Sequence, residues 1–133
     1  MVHRMHTEKN QKTFPYKELT EKLIGYSFDI FKQIGGKHPE KFYQNAFENK
    51  LKDNGINYKR ENYCKLEVDN KRIGYVNLDF LIENKVVIEF KVREIIYSKD
   101  IAQILSYMRL KSIPIGLILL FTDQGVRVRR FII

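Results

Sequence analysis

The sequence predicts a mixed α/β fold, α+β-like, in which a central β-sheet is flanked by helices in the order α-α-β-β-β-α-β-β. Three features predict it. Apolar residues recur at helical spacing only up to about Asp53 and again after Tyr97. The segment between them changes to strand-like runs separated by turn pairs. Two runs, Val86-Val87-Ile88 and residues 114–121, are apolar at consecutive positions, as expected of strands covered on both faces.

Residues 1–13 are polar and aperiodic, which predicts a flexible N-terminal arm ahead of a single domain over 14–133. The first helix spans 16–34, with Leu19, Leu23, Tyr26, Ile30 and Ile34 as its inward stripe, and Gly35-Gly36 ends it. Pro39 suits a first helical turn and opens a second helix to Asp53. Its expected stripe is Phe42, Ala46, Phe47 and Leu51 with the stem of Lys50, and Asn54-Gly55 stops it. Strands follow over 58–68, 72–82 and 86–92, joined by turns at Asp69-Asn70 and Glu83-Asn84-Lys85. Ser98 is placed to cap a third helix with Ile101, Ile104, Leu105 and Met108 facing the core. Strands over 114–121 and 126–133, joined by Asp123-Gln124-Gly125, complete the chain. The helix between the third and fourth strands allows that pair to run parallel within an otherwise antiparallel sheet.

Composition bounds the function. The chain has 133 residues, 44% hydrophobic and 30% charged, which suits one domain and excludes wholesale disorder. A single cysteine, Cys64, excludes an internal disulfide framework and a multi-cysteine zinc site. No apolar run approaches the ~20 residues of a membrane span and no signal-peptide core opens the chain, so an intracellular, cytoplasmic protein with no membrane partner is expected. The net charge of +8 fits a nucleic acid, an acidic protein or a plain basic surface.

Two carboxylates do not fit a core. Asp79 lies within Leu78-Asp79-Phe80-Leu81-Ile82, and Glu89 within Val87-Ile88-Glu89-Phe90. Burying a carboxylate is costly unless a cation or metal accompanies it. A three-residue loop at 83–85 puts Asp79 directly opposite Glu89, with Cβ atoms ~5 Å apart, where like charges repel. Lys91, two residues beyond Glu89, emerges on the same strand face. Oxygen ligands so disposed suit Mg²⁺ or Mn²⁺, and the lysine could hold a water or offset phosphate charge. The same geometry also suits a structural ion pair, Glu89–Lys91 or Asp79–Lys91.

Asp79, a nine-residue gap and Glu89-Phe90-Lys91 resemble the Asp…Glu-x-Lys signature of the PD-(D/E)XK nuclease superfamily, whose common core the element order also resembles. Gln103 and Tyr107 resemble the Gln-x-x-x-Tyr motif of its recombination-type exonuclease branch. From about Leu19 onward the chain is similar to the small GxxExxY family, with Glu40 and Tyr43 matching that family's Glu and Tyr. Lys37 stands where that family has glycine, and Leu78 where a proline usually precedes the first carboxylate. The resemblance implies a restriction-endonuclease-like core and a nuclease that hydrolyses phosphodiesters, most readily of DNA, with Mg²⁺ or Mn²⁺. It implies metal ligation by Asp79, Glu89 and the Phe90 carbonyl, with Glu40 as an extra ligand. Lys91 would position water, while Gln103 and Tyr107 would orient Lys91, the phosphate or the metal's surroundings. Lys37, Lys41, Arg127, Arg129 and Arg130 become candidates for backbone phosphates. Tyr43 and Cys64 read as packing residues and His38 as a cap of the second helix. A chain this small suggests a homodimer or recognition of DNA shape. Two other classes fit the same residues: an inactive nucleic-acid-binding module of this fold, and a protein-interaction subunit.

Overall fold

A computed structural model describes residues 16–133. The expected arm over 1–13 lies outside the described residues. Helices α1 (Lys17–Ile34) and α2 (Glu40–Asp53) precede strands β1 (Tyr58–Val68), β2 (Lys71–Ile82) and β3 (Val86–Val92). Helix α3 (Ser98–Lys111) then leads to β4 (Ile115–Phe121) and β5 (Val126–Ile132). The five strands form one sheet in sequence order, antiparallel throughout except for β3 and β4. That parallel pair is bridged by α3, as a crossover connection requires.

Two apolar layers sandwich the sheet. On one side Leu23 and Ile30 of α1 and Tyr43, Phe47 and Leu51 of α2 meet Phe80, Ile88, Phe90 and Leu119. On the other, Ile104, Tyr107 and Met108 of α3 meet Leu78, Leu81, Val87 and Ile118. The consecutive buried residues of β3 and β4 follow from this double cover.

The structure shifts several details of the sequence reading. The α2 stripe is Tyr43, Phe47 and Leu51, at strict i+4 spacing, and Phe42 is exposed, stacked beside the His38 ring. Ile34, the last residue of α1, is likewise exposed. Pro39 sits just before the first helical residue rather than inside the turn. His38 caps the other helix: its Nε2 is 2.7 Å from the Ile34 carbonyl of α1. Tyr43 locks this connection, its hydroxyl donating to the Gly35 carbonyl at 2.7 Å and accepting the His38 N–H at 3.3 Å. Ser98 is the first residue of α3 and caps nothing; the Asp100 carboxylate accepts the Tyr97 N–H at 2.9 Å instead.

One irregularity positions the site. Successive even-numbered residues of a strand share a face, yet Leu78 packs against α3 while Phe80 packs on the opposite layer. In β1 Arg60 likewise lies over the Phe80 ring, whereas Cys64 joins the α3 layer. Between them Glu61 adopts φ 58°, and the pairing passes from Arg60↔Phe80 to Asn62↔Leu78. Both strands therefore turn over at Glu61 and Asp79. The β2–β3 ladder also stops there, its last pair being Phe80↔Ile88.

Gly36 is a second fixed point, since a Cβ there would lie 2.9 Å from the Thr122 carbonyl oxygen and 3.3 Å from the Asp123 Cα. Both are backbone atoms, so the α1–α2 connection cannot yield without moving the β4–β5 turn. Gly36→Ala should destabilise the protein by roughly 1–3 kcal/mol, measured by urea denaturation, whereas alanine at Gly25, which has open space around it, should cost nothing comparable.

Candidate active site

Asp79 and Glu89 are the first residues past the end of the β2–β3 ladder, and their side chains take over the cross-strand bonding. The Asp79 N–H donates to Glu89 Oε1 at 3.2 Å, and the Phe90 N–H donates to Asp79 Oδ2 at 2.7 Å. Each carboxylate thus reaches the backbone of the neighbouring strand, and the two are held side by side. Lys91 comes up on the same face, its Nζ 3.2 Å from Glu89 Oε2.

Two such charges ~5 Å apart repel by on the order of 3 kcal/mol at an effective dielectric near 20. Glu89 is only 7% exposed. Burial first, and the Asp79 charge second, push its carboxyl up to about 9. Glu40, in the first turn of α2, is also raised, by burial and then by the charge of Asp79, which places it in the same electrostatic field. Burial opposes the Lys91 ammonium, but Glu89, Asp100 and Glu40 outweigh it and hold its pKa above the usual lysine value.

Asp100 is the residue that sequence reasoning missed. It is 2% exposed and lies between two cations. Lys91 Nζ is 3.7 Å from its Oδ1, and both Arg93 Nη atoms donate to its Oδ2, at 2.8 and 2.6 Å. The Arg93 guanidinium also lies 4.2 Å from the Tyr97 ring centroid. An aspartate at the third position of a helix opened by Ser98 was the available signal, and the sequence reading gave it no role.

The remaining candidates divide. The Gln103 amide donates to the Asn77 carbonyl at 2.6 Å, tying α3 to β2 two residues before Asp79. Tyr107, one turn on, packs in the α3 layer with Cys64 and Leu81, its phenol pKa raised by burial and by Cys64. Neither makes a hydrogen bond to Lys91 in the described residues. Arg127 and Arg129 stand on the edge strand in the rows Lys91–Leu120–Arg127 and Glu89–Ile118–Arg129, two strands from the site on its own face. Arg130 falls on the opposite face, and Lys37 lies 3.9 Å from Asp123. Lys41 is exposed at the start of α2, beside Glu40. Among the described residues no three His, Cys, Asp or Glu side chains gather as a self-sufficient metal cluster. Two carboxylates with waters and phosphate oxygens are the ordinary complement of a Mg²⁺ site, so the donor set fits such an ion.

A mixed sheet with paired carboxylates and a lysine at the break of its central hairpin is the architecture of a PD-(D/E)XK nuclease-type domain. The family model of the PD-(D/E)XK nuclease superfamily matches residues 17–131, and the chain belongs to that superfamily. No curated protein matches the chain. Among solved structures it resembles the one titled "Crystal structure of SSO0001", with TM-score 0.55 and 22% identity over 70% of this chain. The match spans 50% of that structure's chain, and the likeness is one of fold.

Two outcomes follow from this electrostatic arrangement. The folded-state pKa of Glu89 exceeds its ordinary 4.5, so its contribution to stability is full below that value and declines as pH rises toward 9. In metal-free solution the wild type should lose stability between pH 5 and pH 8.5, and Glu89→Gln should flatten that slope in urea melts. Asp100→Ala strips the counter-charge from Lys91 and Arg93, whose side chains keep 22% exposure. It should cost about 2–4 kcal/mol, less than a fully buried pair, by the same measurement.

Proposed function

We propose that this protein is a divalent-metal-dependent nuclease, of the GxxExxY type, that hydrolyses phosphodiester bonds in DNA. The observation that carries this reading is the juxtaposition of Asp79 and Glu89 at the broken ladder, with Lys91 3.2 Å from Glu89. A structural ion pair would need one carboxylate; the second raises the cost and calls for a cation.

Asp79, Glu89 and the Phe90 carbonyl would hold Mg²⁺ or Mn²⁺, with Glu40, whose carboxyl senses the Asp79 charge, as a further ligand. The ion supplies Lewis-acid polarisation of the phosphate and lowers the pKa of a bound water. Lys91, kept protonated by Asp100 and Glu89, orients the attacking water and offsets charge developing on the phosphate. Asp100 fixes where that ammonium points. Gln103 holds the β2 backbone against α3, so that Asp79 keeps its place. Tyr107 anchors the same helix from within the core. Arg127 and Arg129 extend positive charge outward along the site's face, where backbone phosphates would add affinity independent of sequence.

The test is cleavage of end-labelled single-stranded, duplex and branched DNA with Mg²⁺, Mn²⁺ or EDTA. The wild type should cut only with metal. Asp79→Ala, Glu89→Ala and Lys91→Ala should each lower the rate about a thousandfold or more while remaining folded. Equal cleavage by the wild type and all three variants would sink the assignment. Mg²⁺ or Mn²⁺ should also raise the melting temperature of the wild type more than that of Asp79→Asn.

A further inference from the structure

Beyond the site, β1 and β2 continue as a ribbon of two strands. Over residues 62–78 β1 pairs with β2 alone, since β2 meets β3 only at Phe80, Leu81 and Ile82. Helix α3 covers one face of this ribbon through Cys64, Val76 and Leu78. Strand alternation puts Tyr63 and Lys65 of β1 with Tyr75 and Asn77 of β2 on the other face.

Among the described residues that face is bare and aromatic. Tyr63 is 66% exposed and Tyr75 is 53% exposed. They occupy diagonal positions, because Tyr63 pairs with Asn77 and Lys65 with Tyr75. Diagonal neighbours lie about 7 Å apart, within reach of successive unstacked nucleotides. Lys65 stands opposite Tyr75, and the Arg72 guanidinium lies 4.9 Å from the Tyr75 ring centroid and donates to its hydroxyl. Asn77, between Tyr75 and Asp79 along β2, holds a buried amide oxygen with no hydrogen-bond partner among the described residues. Along β2 this face ends at Asn77, just before the strand turns over at Asp79, with cations beside the rings.

We propose that this ribbon face docks a single nucleic-acid strand, its bases stacked on Tyr63 and Tyr75 and its phosphates near Lys65 and Arg72, and leads it toward Asp79. The proposal rests on the nuclease reading for the class of partner and adds the form of that partner. Only unpaired bases offer their faces to a tyrosine ring, so the surface selects single strands over duplex. Charge separates this occupant from a second copy of the chain, since the net charge of +8 opposes self-association and favours a polyanion.

The experiment measures binding of a fluorescent twelve-nucleotide oligo(dT), and of a duplex of equal length, by anisotropy in EDTA, where cleavage cannot interfere. The Tyr63→Ala, Tyr75→Ala double variant should bind the single strand at least tenfold more weakly than the wild type, with much less change for the duplex. The corresponding Tyr→Phe double variant keeps both rings and should stay within about twofold of the wild type. Circular dichroism and melts confirm folding, and both positions are exposed. Unchanged single-strand binding in the alanine variant overturns the proposal. So does a wild-type dimer that the alanine variant splits into monomers without loss of oligonucleotide binding, which would assign the face to a second copy. The two readings fail separately. Tyrosine-dependent binding without any metal-dependent cleavage would end the nuclease assignment and keep the docking face, and metal-dependent cleavage of single-stranded DNA at the wild-type rate by the alanine variant would do the reverse.

Discussion

Two carboxylates cannot ordinarily share a half-buried position, and the rest of this structure is arranged around the place where Asp79 and Glu89 do. They can because the β2–β3 ladder ends one residue earlier, leaving backbone N–H groups that the carboxylates themselves satisfy. A regular ladder would have spent those donors on carbonyls. The turnover of β1 and β2 at Glu61 and Asp79 creates the gap, and the left-handed backbone at Glu61 lets β1 follow. The residual repulsion is expressed in Glu89, whose carboxyl is held up to about 9 by burial and by Asp79. Such a site carries more negative charge than Lys91 alone offsets, and this imbalance is what supports the divalent-cation reading proposed above.

The cationic side of the site is built with equal economy. Lys91 and Arg93 alternate along the end of β3, and the buried Asp100 at the start of α3 holds both. The crossover that makes β3 and β4 parallel therefore also delivers the counter-ion, because α3 begins where β3 ends. Gln103 adds a bond to the Asn77 carbonyl from the same helix. One helix thus sets Lys91, steadies the strand carrying Asp79, and covers the inner face of the ribbon. The outer ribbon face is left uncovered by any element among the described residues, and its tyrosines are exposed.

Much of this was legible in the sequence. The period of two, the turn pairs Asp69-Asn70 and Glu83-Asn84, and the fully apolar runs of β3 and β4 gave the element order, since each reflects local backbone preference or simple burial. Asn70 and Asn84 take left-handed φ, and so do Asp69 and Glu83, so both hairpins close tightly at the expected places. The adjacency of Asp79 and Glu89 followed from turn length alone. The α2 stripe was misjudged by one residue at Phe42, because an aromatic at either of two adjacent positions satisfies the helical period and only the sheet decides which is buried.

What the sequence determined by itself was local: where the chain turns, which strands are covered on both sides, and that two carboxylates and a lysine fall on one edge of a hairpin. The resemblance to the PD-(D/E)XK superfamily rested on that same spacing, and the family-model match over residues 17–131 shows the membership. Only the tertiary structure decided that the strands turn over at Asp79, that His38 caps α1 rather than α2, and that Asp100 joins Lys91 to Arg93. It also decided that Arg127 and Arg129 lie in register with the site while Arg130 faces away. These depend on which elements meet across the sheet. A single sequence states the spacing along the chain, whereas burial and charge pairing are fixed by neighbours distant in it, supplied only when α3 folds back over β2 and β3.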